Sequence, residues 1–193
     1  MVTWLAERIS NELIRANIID TSEKDLYVYG FFLLISKLSF LVLSIMAGFT
    51  LKITAEAVVF YVSFIIIREY AGGVHAKTEM VCMITTSLVI VLSIMLIKLM
   101  ILWCAQVLPL AMLFVGYVLI YAFSPLESNK KPLNSTERIK YRKIILQIIT
   151  LYAFVVATGW CVGYKRIAYS VICAVFLEGV LLLVGKKSAS CKN

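Results

Sequence analysis

Long apolar runs separated by short polar stretches are the dominant pattern of the chain from Gly30 onwards. A helix needs about 20 apolar residues to cross a bilayer core, and the pattern therefore predicts six transmembrane helices. Their predicted bounds are 30–50, 53–68, 80–100, 101–123, 144–163 and 167–184. The third and fourth runs follow each other without a polar loop. We place the break near Lys98 to Trp103, because one unbroken helix would be about twice as long as a bilayer needs.

The segment before the first apolar run, residues 1–29, is mixed and polar, and its first part has the periodicity of an amphipathic helix. At about 100° per residue, one face of residues 2–18 collects Val2, Leu5, Ala6, Ile9, Leu13 and Ala16. The opposite face collects Glu7, Arg8, Asn11, Glu12 and Arg15. Such a helix lies at the lipid headgroups or packs on its own protein, and the sequence leaves both open.

The composition agrees with a membrane protein. The chain has 193 residues, of which 62% are hydrophobic, and its mean hydropathy is +0.94; a soluble domain is nearer half apolar. We therefore predict the all-α class: a polytopic membrane protein with an N-terminal amphipathic interfacial helix. Residues 1–193 should form a single integral-membrane domain, with an amphipathic segment at 1–29, a six-span core at 30–184 and a basic tail at 185–193.

The net charge of +8 is explained by topology. With six spans both termini lie on one side, and most Lys and Arg residues lie on that side too, in the termini, the 68–79 segment and the 124–143 loop. Because cytoplasmic loops are enriched in Lys and Arg, we expect this side to be cytoplasmic, in a bacterial cell membrane. No nucleic-acid partner is expected. The basic loop is also of the kind that touches anionic lipid.

The five cysteines show no paired spacing and no CxxC motif, and the chain contains one histidine. A disulfide scaffold and a zinc site are therefore both unlikely readings of these residues. We expect no metal and no cofactor.

The stretch "REYAGGVHAKTEMVC", residues 68–82, interrupts the apolar pattern and holds the single histidine, His75, and Cys82. Seven residues in a helix put two side chains on nearly one face, but about 10.5 Å apart along the axis. A thiol and an imidazole exchange a proton only within hydrogen-bond reach. The pair therefore works only if the chain bends between them, and Gly72 and Gly73 supply the necessary backbone freedom.

Thr78 is a suitable N-cap and Glu79 suits the first turn of a helix, so we expect Cys82 about one turn into the third span. A helix N-terminus and a nearby imidazolium both favour a thiolate, whereas an ionised Glu79 would oppose it. Taken as residue types alone, a cysteine near a helix end is more often a small apolar residue, and a lone surface histidine is more often a hydrogen-bonded loop residue.

The residues Arg68, Gly72-Gly73-Val74-His75-Ala76 and Cys82 resemble the signature of the accessory gene regulator protein B family, membrane cysteine endopeptidases of Gram-positive quorum sensing. The loop "SPLESNKKPL" resembles the proline- and lysine-containing loop of that family. The resemblance covers essentially the whole chain. It implies a precursor peptide with an amphipathic leader and an acidic C-terminal tail, which the enzyme cuts before the tail and closes to a thiolactone or lactone. The resemblance also implies a homodimer.

By this resemblance Cys82 is the nucleophile and His75 its base, with Arg68, Gly72 and Gly73 supporting the site. Polar residues near the same membrane face are candidates for substrate binding: Lys77, Glu79, Ser124, Asn129, Lys130 and Lys131. The candidates for a third catalytic group or an oxyanion donor are Glu69, Glu79, Ser124 and Asn129, which the sequence does not rank. Basic side chains in this region would suit an acidic tail.

Two other functions remain open at this point. A transporter or exporter of a small peptide would explain the charged residues inside predicted spans, Lys37, Glu56 and Glu178, because such charges usually face protein or a wet cavity. A non-catalytic membrane partner is the second alternative. Both permit loss of the Cys82 thiol without loss of activity, and the peptidase does not.

Overall fold

A computed structural model describes residues 2–72, 79–103, 107–126 and 134–190, and helices account for nearly all of them. The seven α-helices are α1 (Val2–Arg15), α2 (Lys24–Thr50), α3 (Thr54–Ala71), α4 (Glu79–Trp103), α5 (Val107–Phe123), α6 (Ser135–Val162) and α7 (Lys165–Ser190). The described residues contain no strand, so the predicted all-α class is confirmed. The contacts divide the chain within α2, into residues up to Leu43 and residues from Ser44. The single domain stays a prediction.

Within the described residues, four helices are long and apolar enough to cross a membrane: Thr21–Thr50 with its short 3-10 turn, Met80–Trp103, Thr136–Val162 and Lys165–Lys186. The helix Val107–Phe123 is apolar but shorter, and α3 carries Glu56, Arg68 and Glu69. The chain is therefore a membrane protein, and the count of six spans stays a prediction.

Several helices extend beyond the predicted spans, because polar residues continue them past their apolar runs. The helix α2 begins at Lys24, within the predicted amphipathic segment, and α3 continues to Ala71, which brings Arg68 into its last turn. The helix α4 ends at Trp103, within the region where the break between the third and fourth spans was predicted. The predicted basic tail is helical as far as Ser190.

In the N-terminal unit, α1 ends at Arg15 rather than residue 18, because Asn17 has a φ of 55°. The amide of Ile18 donates to the carbonyl of Leu13 at 3.0 Å and closes the helix end. An ion pair joins Arg15 and Glu12 at 2.8 Å on the exposed side. The position of α1 at a membrane surface stays a prediction.

The helix α7 is the centre of the second unit, and α3, α4, α5 and α6 pack around it. All of its residues from Ala168 to Val175 are buried. The helix α5 approaches most closely where both helices have glycine: a Cβ added at Gly116 would lie 2.7 Å from the Phe176 Cα, and one at Gly179 3.0 Å from the Gly116 carbonyl oxygen. Small residues at helix interfaces allow such close approach in membranes.

Paired contacts give the direction of each helix against α7 or α3. Ion pairs Glu56–Arg166 and Arg68–Glu178 show that α3 runs parallel to α7. The helix α5 is also parallel to α7, since Gly116 meets Phe176 and the Lys186 ammonium lies 4.6 Å from the Phe123 ring centroid.

The even-numbered helices run the other way. The Tyr152 hydroxyl donates to the Ser63 carbonyl at 3.4 Å, and the rings of Tyr70 and Tyr141 meet edge to face at 5.9 Å, so α6 is antiparallel to α3. The Cys173 thiol lies 3.8 Å from the Ser93 carbonyl, and Met100 packs with residues near the start of α7. The helix α4 is therefore antiparallel to α7, and α3 to α7 alternate in direction.

Candidate active site

Cys82 lies in the first turn of α4, as predicted from Thr78 and Glu79, because the described part of this helix begins at Glu79. Its thiol is free and partly buried. Residues 80–89 contain no fully buried side chain, and Ile90 is the first buried residue of α4. Because Ser93 contacts Cys173, Cys82 lies about 16 Å from that contact along the axis, towards the end of the bundle where α3, α5 and α7 end.

Other predicted site residues lie outside the described part of the chain. These are Gly73, His75, Lys77, Asn129, Lys130 and Lys131. The backbone of Glu79 is described as the start of α4, but its side chain is not. The approach of His75 to Cys82, and the bend between them, therefore stay predictions. The helix that precedes them ends at Ala71, ahead of His75.

Gly72 connects two regions of the sequence, the histidine-containing stretch 68–82 and the loop "SPLESNKKPL". The Leu126 amide donates to the Ala71 carbonyl at 2.9 Å, and Gly72 and Leu126 form an isolated parallel bridge. Gly72 has a φ of 80°, and a Cβ there would overlap the Leu126 carbonyl oxygen. Only glycine fits such a position without strain. The start of the histidine-containing stretch is thus fixed to the start of the proline- and lysine-containing loop; we call this contact the 72–126 junction.

Arg68 is one turn before the 72–126 junction, and its guanidinium pairs with a buried carboxylate. Arg68 Nη1 lies 3.4 Å from Glu178 Oε2, and the two side chains are 27% and 0% exposed. The guanidinium also lies 5.7 Å from the Phe64 ring centroid. The sequence analysis assigned Arg68 to the site but did not find Glu178 as its partner. The available signal was the position of Glu178 inside an apolar span, where a charge usually requires a partner.

Ser124 is buried at the end of α5, two residues before Leu126. It is 4% exposed, and its Oγ has no hydrogen-bond partner among the described residues. Its amide donates to the Ile120 carbonyl at 2.9 Å, so the backbone is held while the hydroxyl is not. A buried hydroxyl without a partner costs free energy. Oε1 of Glu178 is likewise buried without a partner in the described part of the chain.

At the opposite end of α3 and α7 the second in-span acid is also paired. Glu56 Oε1 accepts from Arg166 Nε at 2.7 Å, with side-chain exposures of 8% and 56%. Two of the three charges that suggested a transporter are therefore held in ion pairs, and Lys37 also interacts within the protein.

No group of three or more His, Cys, Asp or Glu residues that could hold a metal ion occurs in the described ranges. A shallow groove lined mainly by apolar residues lies between α6 and α7, next to Gly159, Tyr164 and Ala168. It is at the other end of the bundle from Cys82, and none of the predicted site residues lines it.

Comparisons with known proteins agree with the signature. The family model described as Accessory gene regulator B matches residues 6–182. AgrB-like protein 2 of Clostridium perfringens (strain 13 / Type A) is 29% identical over 160 residues, which cover 78% of this chain and 72% of that protein. An AgrB-like protein of Clostridium perfringens (strain SM101 / Type A) is 27% identical over 186 residues, covering 92% and 83%. Neither name states a reaction. No solved structure matches.

Proposed function

The chain belongs to the accessory gene regulator B family, and on that premise we propose that it is a membrane cysteine endopeptidase that makes a cyclic peptide pheromone for quorum sensing. Its substrate is a short precursor with an amphipathic leader, a central pheromone segment and an acidic C-terminal tail. The enzyme removes the tail and closes the pheromone segment to a thiolactone or a lactone.

The observation that carries this proposal is the position of Cys82. Its thiol is free and partly buried, and it lies in the first turn of the described part of α4. Arg68, the 72–126 junction and Ser124 belong to the same end of the bundle, where α3 and α5 end. The stretch that contains His75 connects that end of α3 to the start of α4.

The reaction has two acyl transfers. His75 takes the thiol proton, and the Cys82 sulfur attacks the carbonyl carbon at the end of the pheromone segment. The C–N bond to the tail breaks, the tail nitrogen receives the proton from His75, and a thioester to Cys82 remains. A thiol or hydroxyl of the pheromone segment then attacks this thioester, its proton passes through His75, and the Cys82 thiol is released. The ring forms rather than a free acid when the internal nucleophile is held close and water is excluded.

The membrane arrangement that we propose has six spans, α2 to α7, with both termini and the site in the cytoplasm. The alternating directions of α3 to α7 support it, because α5 must cross for α3 and α7 to run parallel. A cytoplasmic site follows from the excess of Lys and Arg on that side. The lysines of the 124–143 loop attract the acidic tail, the membrane surface receives the amphipathic leader, and the active form is a homodimer.

Processing of the cognate precursor by the purified protein in liposomes tests this function. Mass spectrometry should show the released tail and a cyclic product that is lighter by one water than the linear precursor without its tail. Cys82→Ala should abolish both. Cys161→Ala is the matched control, because Cys161 is an exposed free cysteine in α6, and it should process at the wild-type rate. Equal processing by Cys82→Ala and wild type would exclude the peptidase.

A further inference from the structure

Among the described residues two ion pairs join α3 and α7, and the spacing between them is the same along both helices. Glu56 and Arg68 are separated by the same twelve positions as Arg166 and Glu178 (56 to 68, 166 to 178), which is about 18 Å along a helix. Acid and base are reversed between the two helices, so each acid meets an arginine. Parallel helices with this spacing can form both pairs only in one register. A shift of α3 along α7 would break both.

The two pairs differ in burial and in what lies beside them. Glu56–Arg166 has an arginine that is 56% exposed, and it lies at the ends where α3 and α7 begin. Glu178 is 0% exposed and Arg68 27%. Arg68 is three residues before Ala71, whose carbonyl accepts the hydrogen bond of the 72–126 junction. The Arg68–Glu178 pair, the more buried of the two and called the inner pair below, therefore holds the last turn of α3, which the histidine-containing stretch follows.

We propose that Glu178 is a positioning residue for the Cys82 site, acting through Arg68. This inference rests on the proposed function. Glu178 holds the guanidinium, the ion pair holds the last turn of α3, and the 72–126 junction carries that position to the stretch that contains His75. Loss of the pair lets α3 shift or rotate, and under the proposed function the Cys82 thiol then loses the assistance of His75. The outer pair, Glu56–Arg166, contributes to stability alone.

An alternative role for Glu178 is purely structural, and it makes the opposite prediction for thiol reactivity. A looser bundle exposes its cysteines, so alkylation should become faster at Cys82 and also at Cys173, which is buried against the Ser93 carbonyl between α7 and α4. Loss of positioning should instead slow alkylation at Cys82 and leave Cys173 unchanged, because under the proposed function only Cys82 loses the base that takes its proton.

The test measures iodoacetamide alkylation of Cys82 and Cys173 at pH 7 in the full-length protein in detergent, resolved by peptide mass spectrometry. It needs no substrate. The His75→Ala variant serves as the reference. It should lower the alkylation rate of Cys82 by about tenfold, since an unassisted thiol is only a few per cent thiolate at this pH. Glu178→Gln should slow Cys82 to a similar extent. The matched control, Glu56→Gln, should leave the Cys82 rate within about twofold of wild type.

A second variant covers the case in which a lone buried Arg68 prevents folding. The double substitution Arg68→Leu with Glu178→Leu removes both charges together, and an apolar replacement of a buried ion pair is often neutral for stability. We expect it to slow Cys82 as His75→Ala does, with Cys173 unchanged. The counterpart Glu56→Leu with Arg166→Leu should leave Cys82 unchanged.

The outcomes separate the two proposals. If His75→Ala slows Cys82 but neither variant of the inner pair does, the positioning role of Glu178 is wrong and the peptidase stands. Faster alkylation of Cys82 together with Cys173 in the inner-pair variants also overturns the inference, in favour of a structural role. If His75→Ala leaves the alkylation rate of Cys82 unchanged, the proposed catalytic pair of Cys82 and His75 is wrong, and so is the positioning role of Glu178.

Discussion

The two ends of the α3–α7 bundle differ in how well their described polar groups are satisfied. At the end opposite Cys82, short turns connect α2 to α3 and α6 to α7. Local hydrogen bonds close both turns: the Ile53 amide donates to Gly48 at 2.8 Å, and the Ala168 amide donates to Tyr164 at 3.3 Å. The ion pair there is short, at 2.7 Å.

At the Cys82 end the connections between helices are longer, and some described buried polar groups have no hydrogen-bond partner there. The Oγ of Ser124 and Oε1 of Glu178 are buried without a hydrogen-bond partner among the described residues, and the ion pair is longer, at 3.4 Å. Gly72 adopts a φ of 80° against the Leu126 backbone. Local features that cost stability concentrate at functional sites. The incomplete hydrogen bonding at this end supports the proposal that it holds the active site.

The largest effect should come from His75→Ala. Removal of a general base costs about 10² to 10⁴ in rate, so precursor processing should fall by that factor while the fold is retained. The measurement is single-turnover release of the tail peptide. Processing within twofold of wild type would show that another group takes the Cys82 proton.

Gly72→Ala should have the next largest effect and compares the two ends directly. The added Cβ would overlap the Leu126 carbonyl oxygen, so the 72–126 junction must open and displace the start of the histidine-containing stretch. A misplacement of about 1 Å costs roughly 10² in rate, and tail release should fall accordingly.

Gly163→Ala is the control for that variant. Gly163 also has a positive φ, 95°, but lies at the opposite end with nothing within 4 Å of an added Cβ. We expect it to lower the unfolding temperature slightly and to leave processing unchanged. Equal losses of processing in the two variants would contradict the distinction between the ends.

Gly116→Val tests the middle of the bundle, and its effect should be on stability. A Cβ at Gly116 lies 2.7 Å from the Phe176 Cα, so α5 and α7 must separate, at a cost of about 1–3 kcal/mol. Thermal unfolding in detergent measures this loss. Gly30→Val, where an added Cβ meets nothing within 4 Å, should lower the unfolding temperature less. Equal shifts would show that the close α5–α7 approach contributes little.

The smallest effect should come from Ser124→Ala. Because the Oγ has no partner among the described residues, its removal should leave the unfolding temperature unchanged or raise it. Processing should fall by about three- to tenfold if the hydroxyl bonds the substrate, which corresponds to one ordinary hydrogen bond.

Ser93→Ala is the control for Ser124. The Ser93 hydroxyl donates to the Val89 carbonyl at 2.8 Å, so its loss should lower stability and leave processing intact. Lower stability with intact processing in Ser124→Ala would instead assign the Ser124 hydroxyl to the fold.

The helices could be predicted from the sequence because each apolar run is long enough to be recognised without knowledge of its neighbours. The position of Cys82 followed in the same way, from local helix-start residues. The start of α6 has a local signal of the same kind, since Asn134 is the N-cap and the Asn134 amide donates to Glu137 Oε2 at 3.1 Å. Helix ends were less predictable, because packing extends a helix through polar residues such as Lys24 and Arg68.

The contacts between distant segments could not be predicted in this way. The 72–126 junction depends on how α3 and α5 approach each other, which no local pattern specifies. The Arg68–Glu178 pair has a signal in the sequence, because Glu56 and Arg68 have the same spacing as Arg166 and Glu178, with acid and base in opposite order. This signal is informative only once α3 and α7 are known to be parallel neighbours.

The central claim is that Cys82 forms a thioester with the pheromone segment, and trapping this intermediate tests it most directly. The purified protein is mixed with its cognate precursor, quenched in acid within the first turnover, and analysed by intact mass and peptide mapping. We predict an added mass equal to the precursor without its tail, located on Cys82 and removed by hydroxylamine. Release of the tail with no adduct at Cys82, or an adduct on another residue, would contradict the account.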